Sequence, residues 1–222
     1  MKNKKQHLAA YIILTAVTLI ISISFIFFLP DRIPVHYGPD GNVDRFGSKF
    51  ELFLLPCVSI VIAVIMWFSA GFTSRKETST KNNEKIVLIT GECVLAMFLI
   101  MQIYFSCLAL NNVENIYSFH IDIGKLLSIL YGIFMIVVGN IMPKAKKNSF
   151  IGFRCSWTMK DEETWRKSQR FSGIASIITG AAMLICAALF SEMTAIIALL
   201  TSEFLMLIVC LIYAYRISHN AK

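Results

Sequence analysis

The sequence predicts an all-α integral membrane protein with six transmembrane helices and both termini in the cytoplasm. Three observations predict it. The 222 residues are 56% hydrophobic and only 16% charged, with a mean hydropathy of +0.66, whereas a soluble domain carries about 25% charged residues. Six apolar runs each approach or exceed the roughly 20 helical residues that a hydrocarbon core of about 30 Å requires. Of the 21 Lys and Arg residues, 17 fall in segments that are cytoplasmic if the N-terminus is inside, leaving Arg32, Arg45, Lys49 and Lys125 outside. Such an asymmetry orients a helical membrane protein during insertion. The net charge of +7 is thus placed to orient helices and to meet anionic lipid, and no direct contact with nucleic acid is expected.

The apolar runs are 8–29, 52–72, 86–110, 124–142, 171–190 and 193–215. The first follows Met1-Lys-Asn-Lys-Lys, which looks like the start of a signal peptide. It ends in Phe27-Phe28-Leu29-Pro30 with no small-residue cleavage site, so it reads as a retained span. Only Ser191-Glu192-Met193 interrupts the chain between the last two runs. One helix from Ile174 to Tyr215 would overrun the bilayer, so a tight outer hairpin is expected; a five-span alternative would put the C-terminus outside. A single membrane domain follows. Its N-terminal half, 1–110, carries an extracellular loop at 30–50, and its C-terminal half, 111–222, carries a cytoplasmic loop at 143–170.

In the outer loop, Pro30 and Pro34 favour an extended start, and Gly38-Pro39-Asp40-Gly41 is a turn sequence. Asp31, His36, Asp40 and Asp44 offer oxygen and nitrogen donors for a small metal site. Their spacing matches no metal motif, and the competing reading is a folded cap whose Asp side chains satisfy turn backbone. Asp31, Pro34, His36, Gly41, Asp44 and Lys49 are the outer-loop candidates for ligand binding, and no metal or cofactor is expected. Cys57, Cys93, Cys107, Cys186 and Cys210 lie in apolar runs and Cys155 in the basic loop, which reads as reduced thiols.

The inner loop opens with Lys144, Lys146 and Lys147, suited to anionic headgroups, and continues with Phe150, Ile151, Phe153 and Trp157. Thr158 and Asp161 resemble a capping box, with Glu162 and Glu163 in the first turn of a helix starting near Met159. That helix is expected to run through Trp165 and Arg170 into the fifth span. Ser172, Ser176 and Gly180 form a small-residue stripe suited to close helix packing. Glu203 lies near the middle of the sixth run, where an acid is costly enough to be a functional candidate. Glu92 lies about 9 Å into the third run, within reach of the inner loop. For both, a protonated, hydrogen-bonded structural carboxyl is the competing reading. Gln102 and Asn140 are further polar groups in spans. Neither a catalytic constellation nor a phosphate-binding glycine loop occurs, so an enzyme is not expected.

Gly139-Asn140-x-x-Pro143, then Asn148-Ser-Phe-Ile-Gly152-Phe-Arg154, Trp157-Thr158, Trp165 and Arg170 closely resemble the SdpI family of bacterial immunity proteins. The Leu-Pro-x-x-Ile-Pro-x-His loop resembles a membrane domain of unknown function that often precedes that signature. Cys155-Ser156 stands where Thr-Pro is common, and Gln169 where His or Asn often precedes the Arg. The resemblance implies a membrane immunity protein that binds a secreted toxin peptide outside. It also implies a receptor role, capturing a cytoplasmic repressor at the membrane. The alternative is a small proton-coupled transporter or exporter of a peptide or lipid-like substrate, with Glu203 as the coupling acid.

Overall fold

The computed structural model describes residues 3–75 and 81–220. Lys2, Lys76 and Lys222, counted above among the cytoplasmic cations, lie outside the described residues. Six long helices carry the fold: α1 (Lys4–Ile26), α2 (Leu54–Arg75), α3 (Lys81–Leu110), α4 (Ile123–Ile141), α5 (Glu162–Leu189) and α6 (Glu192–Asn220). All six are long and apolar enough to cross a bilayer. Their outward faces are Ile, Leu, Val and Phe, as at Ile178, Leu200 and Phe204, each more than half exposed. Only lipid accommodates so much apolar surface, and the chain is a multi-pass membrane protein. The last two spans are separate helices, broken at Phe190-Ser191. The first begins at Lys4, where Asn3 and Gln6 form a capping box. That brings His7, which the hydropathy left in a tail, into the helix and buries it.

The chain divides into two compact units. One comprises Met1–Met66 and Gly91–Ile123. Its 30–50 loop is a β-hairpin, so the all-α expectation gains a small ribbon. Strand β1 (Arg32–Tyr37) pairs antiparallel with β2 (Val43–Ser48), and the register slips between Pro34 and His36. A proline cannot donate to a ladder, and such a slip is where strands tolerate one. Gly41 turns the hairpin with φ +80, and a Cβ there would run into the Tyr117 ring. Ile33 is 1% exposed and packs with Leu29, Leu52 and Ala109. The ribbon thus seats one apolar face on the helices.

The 111–122 segment braces this hairpin. Val43 N–H donates to Glu114 O at 2.8 Å, and Ile116 N–H to Gly41 O at 2.8 Å. The Tyr37 hydroxyl donates to Val113 O at 2.9 Å, and burial pushes its pKa up. Ser48 and Glu51 then cap the 3₁₀ turn Lys49–Phe53 that leads into α2.

The second unit comprises Trp67–Thr90 and Gly124–Lys222. Here α4 and α5 touch backbone to backbone. A Cβ on Gly132 would stand 2.8 Å from Gly180 O, and one on Gly139 would stand 2.5 Å from Gly173 O. The two pairs lie two helical turns apart, so the helices meet along glycine faces. The expected Ser172, Ser176 and Gly180 stripe is therefore divided in its use. Gly180 meets α4, whereas Ser176 points to Met206 of α6, with Oγ 3.8 Å from Sδ. Phe171 stacks on Tyr213 with centroids 4.0 Å apart, which ties α5 to α6.

Candidate functional site

The loop from Pro143 to Asp161 has little regular structure, and buried side chains hold its backbone. Asn83, fully buried near the start of α3, accepts from Lys146 N–H at 2.9 Å and donates to Lys146 O at 3.1 Å. The Trp165 indole N–H donates to Ala145 O at 2.8 Å. Trp165 is 1% exposed and packs with Ile86 and Ala145. Asn148 accepts from Phe150 N–H at 2.7 Å and from Ile151 N–H at 2.8 Å, closing the next turn. Each bond satisfies a loop backbone group that regular secondary structure does not.

Gln169 completes the frame. Its Oε1 accepts from Phe153 N–H at 2.8 Å, and its Nε2 donates to Phe153 O at 2.8 Å. The side-chain amide thus pairs with the backbone as a neighbouring strand would. Gly152 precedes this clamp at φ +105, and a Cβ there would lie 2.6 Å from Gln169 Oε1. The left-handed backbone and the close approach both call for glycine. Replacing Gln169 with Leu strands two backbone groups, at about 1–3 kcal/mol each. A clearly lower melting temperature in detergent is the expected outcome.

Two corrections concern the start of α5. Thr158 is not the cap: its Oγ1 accepts from Cys155 N–H at 2.9 Å and donates to Cys155 O at 3.0 Å, closing a separate turn. Asp161 caps instead, accepting from Thr164 N–H at 2.7 Å, and the helix begins at Glu162 rather than near Met159. The Thr164 N–H and hydroxyl hold the Asp161 carboxyl below the usual carboxylate range. Trp157 packs edge-on against Tyr215 with centroids 5.3 Å apart. Lys160 Nζ donates to Ser218 O at 2.6 Å, a cation on the last turn of α6. Pro143 packs on Gly173, and Asn140 donates to Ile136 O of its own helix. Arg154 and Arg170 are exposed.

The outer candidates separate into pairs. His36 Nδ1 lies 2.6 Å from Asp44 Oδ1 across the hairpin, and Lys49 lies 3.0 Å from Asp31. Asp40 turns to Asn42, whose side chain and backbone N–H hold its carboxyl below the usual range. The four donors considered for a metal do not converge, and among the described residues no three His, Cys, Asp or Glu form such a group.

The intramembrane acids also part company. Glu92 meets His7 of α1, with Nδ1 2.8 Å from Oε1. Glu203 faces the Tyr131 hydroxyl of α4, and its Oε1 is buried without a hydrogen-bond partner.

Residues 144–214, which hold the clamped loop, α5 and most of α6, match the SdpI/YfhL protein family. The chain thus carries a segment similar to the SdpI family. Residues 13–60, covering most of α1, the hairpin and the start of α2, match a domain of unknown function, DUF1648. Immunity protein SdpI of Bacillus subtilis (strain 168) is 24% identical over 169 residues, which is 76% of this chain and 75% of that protein. An uncharacterized protein of Archaeoglobus fulgidus is 51% identical over 39 residues, 17% of this chain and 21% of its own length. No solved structure matches.

The SdpI signature of this chain is thus largely the set of groups that fold one loop. Asn148, Gly152 and Trp165 are framework and Pro143 packs on Gly173, whereas Asn140, Ser149, Phe150, Arg154 and Arg170 are exposed. Reading the sequence missed Asn83, because an Asn at a helix start passes for an ordinary surface residue. Gln169 was visible as a departure from the SdpI pattern, but its pair of hydrogen bonds to Phe153 was not.

Proposed function

We propose that this chain is a membrane immunity protein that protects its cell against a secreted antimicrobial peptide. The observation that carries the reading is the similarity to the Bacillus immunity protein, which extends over 76% of the chain. In this reading the termini and the 143–170 loop are cytoplasmic, supported by the 17 of 21 basic residues on that side. The peptide approaches from outside and first meets the braced hairpin, through Asp31, Pro34, His36, Gly41, Asp44 and Lys49. A cytoplasmic repressor would meet the exposed Arg154 and Arg170 on the opposite side. The loop beside them is joined to α5 through Gln169 and to α6 through Trp157, so a helix shift would alter what it presents.

Expression of the chain in cells sensitive to such a peptide is expected to restore growth in its presence. No protection from protein at normal membrane level would overturn the reading. Orientation is checked separately: an impermeant thiol reagent is expected to label Cys155 only after permeabilisation, and Phe46→Cys in intact cells. Strong labelling of Cys155 in intact cells inverts the topology.

A second reading, proton-coupled export of a peptide or lipid-like substrate, is favoured by one observation. Glu203 keeps a buried carboxylate oxygen without a partner beside Tyr131, within the membrane.

A further inference from the structure

Under the hairpin, the first unit contains a cavity of about 210 Å³. Its walls are Ile33, Val35, Leu52, Phe105 and Leu108, and Gln102 of α3 lies among them. Gln102 is fully buried. Its Nε2 donates to Ser106 Oγ at 3.1 Å, while its Oε1 has no hydrogen-bond partner. An orphaned buried acceptor costs about 1–3 kcal/mol, so a ligand that parts the wall over Gln102 and donates to its Oε1 recovers that cost. At the mouth, Arg45 donates to both Glu51 oxygens, at 3.3 and 3.0 Å, and marks the aqueous edge. Leu54, also at the mouth, is 68% exposed.

We infer that this cavity seats one aromatic side chain that carries a hydrogen-bond donor, of indole size, from the incoming peptide. The inference rests on the immunity reading for the identity of the ligand, and on the cavity alone for its chemistry. Size selects the class, because an apolar cavity of about 150 Å³ already holds benzene and this one leaves room for a second ring. Polarity selects within it. A lipid chain would fill the walls but leave Gln102 Oε1 unpaired, whereas an indole N–H satisfies it. Sites built around a buried acceptor discriminate strongly against analogues that lack the donor. The position agrees: the cavity lies directly beneath the ribbon that a peptide from outside meets first.

The test uses the full chain in nanodiscs and ligand-observed NMR with two probes. N-acetyl-tryptophanamide is compared with its benzothienyl-alanine counterpart, which replaces the ring N–H by sulfur at nearly equal size. The native protein is expected to bind the indole about tenfold more tightly. Gln102→Met should abolish that preference while still binding both probes, and Leu54→Trp, at the mouth, should weaken both. The ratio of two probes on one sample is insensitive to how much protein is folded. Equal affinity for the two probes on the native protein, or a preference that survives Gln102→Met, overturns the inference; a lipid-chain site gives the first result. Protection of cells is scored apart from this. Protection without indole preference loses the site and keeps the immunity reading, and preference without protection does the reverse.

Discussion

Trp165→Ala is expected to destabilise the second unit by about 3–5 kcal/mol, the usual cost of emptying a fully packed aromatic site. Two losses combine. The side chain is 1% exposed against Ile86 and Ala145, so its removal leaves a cavity. Its indole N–H also leaves Ala145 O, held at 2.8 Å, without a donor. Because Ala145 precedes Lys146, which Asn83 holds, the damage should spread along the loop. Thermal unfolding in detergent, read beside protease cleavage within 143–161, should show a lower transition and an opened loop. Trp165→Phe keeps most of the packing and loses the hydrogen bond with part of the ring volume, so its shift should be less than half as large. Equal shifts would assign the whole effect to the bond, and no shift in either would remove Trp165 from the frame.

Glu203→Gln is expected to abolish protection while leaving the protein at normal level in the membrane. Gln keeps the size and the ability to accept from the Tyr131 hydroxyl, but it cannot ionise, so the change isolates the charge. The site invites this test because Glu203 faces Tyr131 with one carboxylate oxygen unpaired, where a charge within the membrane costs about 2.5–3.5 kcal/mol. Tyr131→Phe removes the partner and retains the acid, and a smaller loss is expected. Growth of expressing cells across a range of external pH separates the two proposed functions. A proton-coupled exporter should protect best when the proton gradient is steep, whereas a binding shield should be indifferent to it. Full protection by the Gln variant would reduce Glu203 to packing.

The six spans, the tight link at Ser191 and the continuity of α5 through Trp165 and Arg170 were legible in the sequence. So was the turn at Gly38–Gly41. Each rests on a local property, either a sustained apolar run that must find lipid or a turn residue with a permitted φ. The cap of α5 was legible only approximately, since Thr158 and Asp161 are both plausible acceptors and the fold decides which backbone N–H groups point at them. What the tertiary structure alone decided are the polar pairings between distant segments. His7 finds Glu92, 85 residues away, and Asn83 finds Lys146, 63 residues away. Tyr37 reaches Val113, 76 residues away, and Gly132 and Gly139 meet Gly180 and Gly173. Hydropathy assigns each residue its solvent, and periodicity assigns it a face. Neither says which buried acceptor a given donor will meet, because that depends on how helices far apart in the chain come together in space.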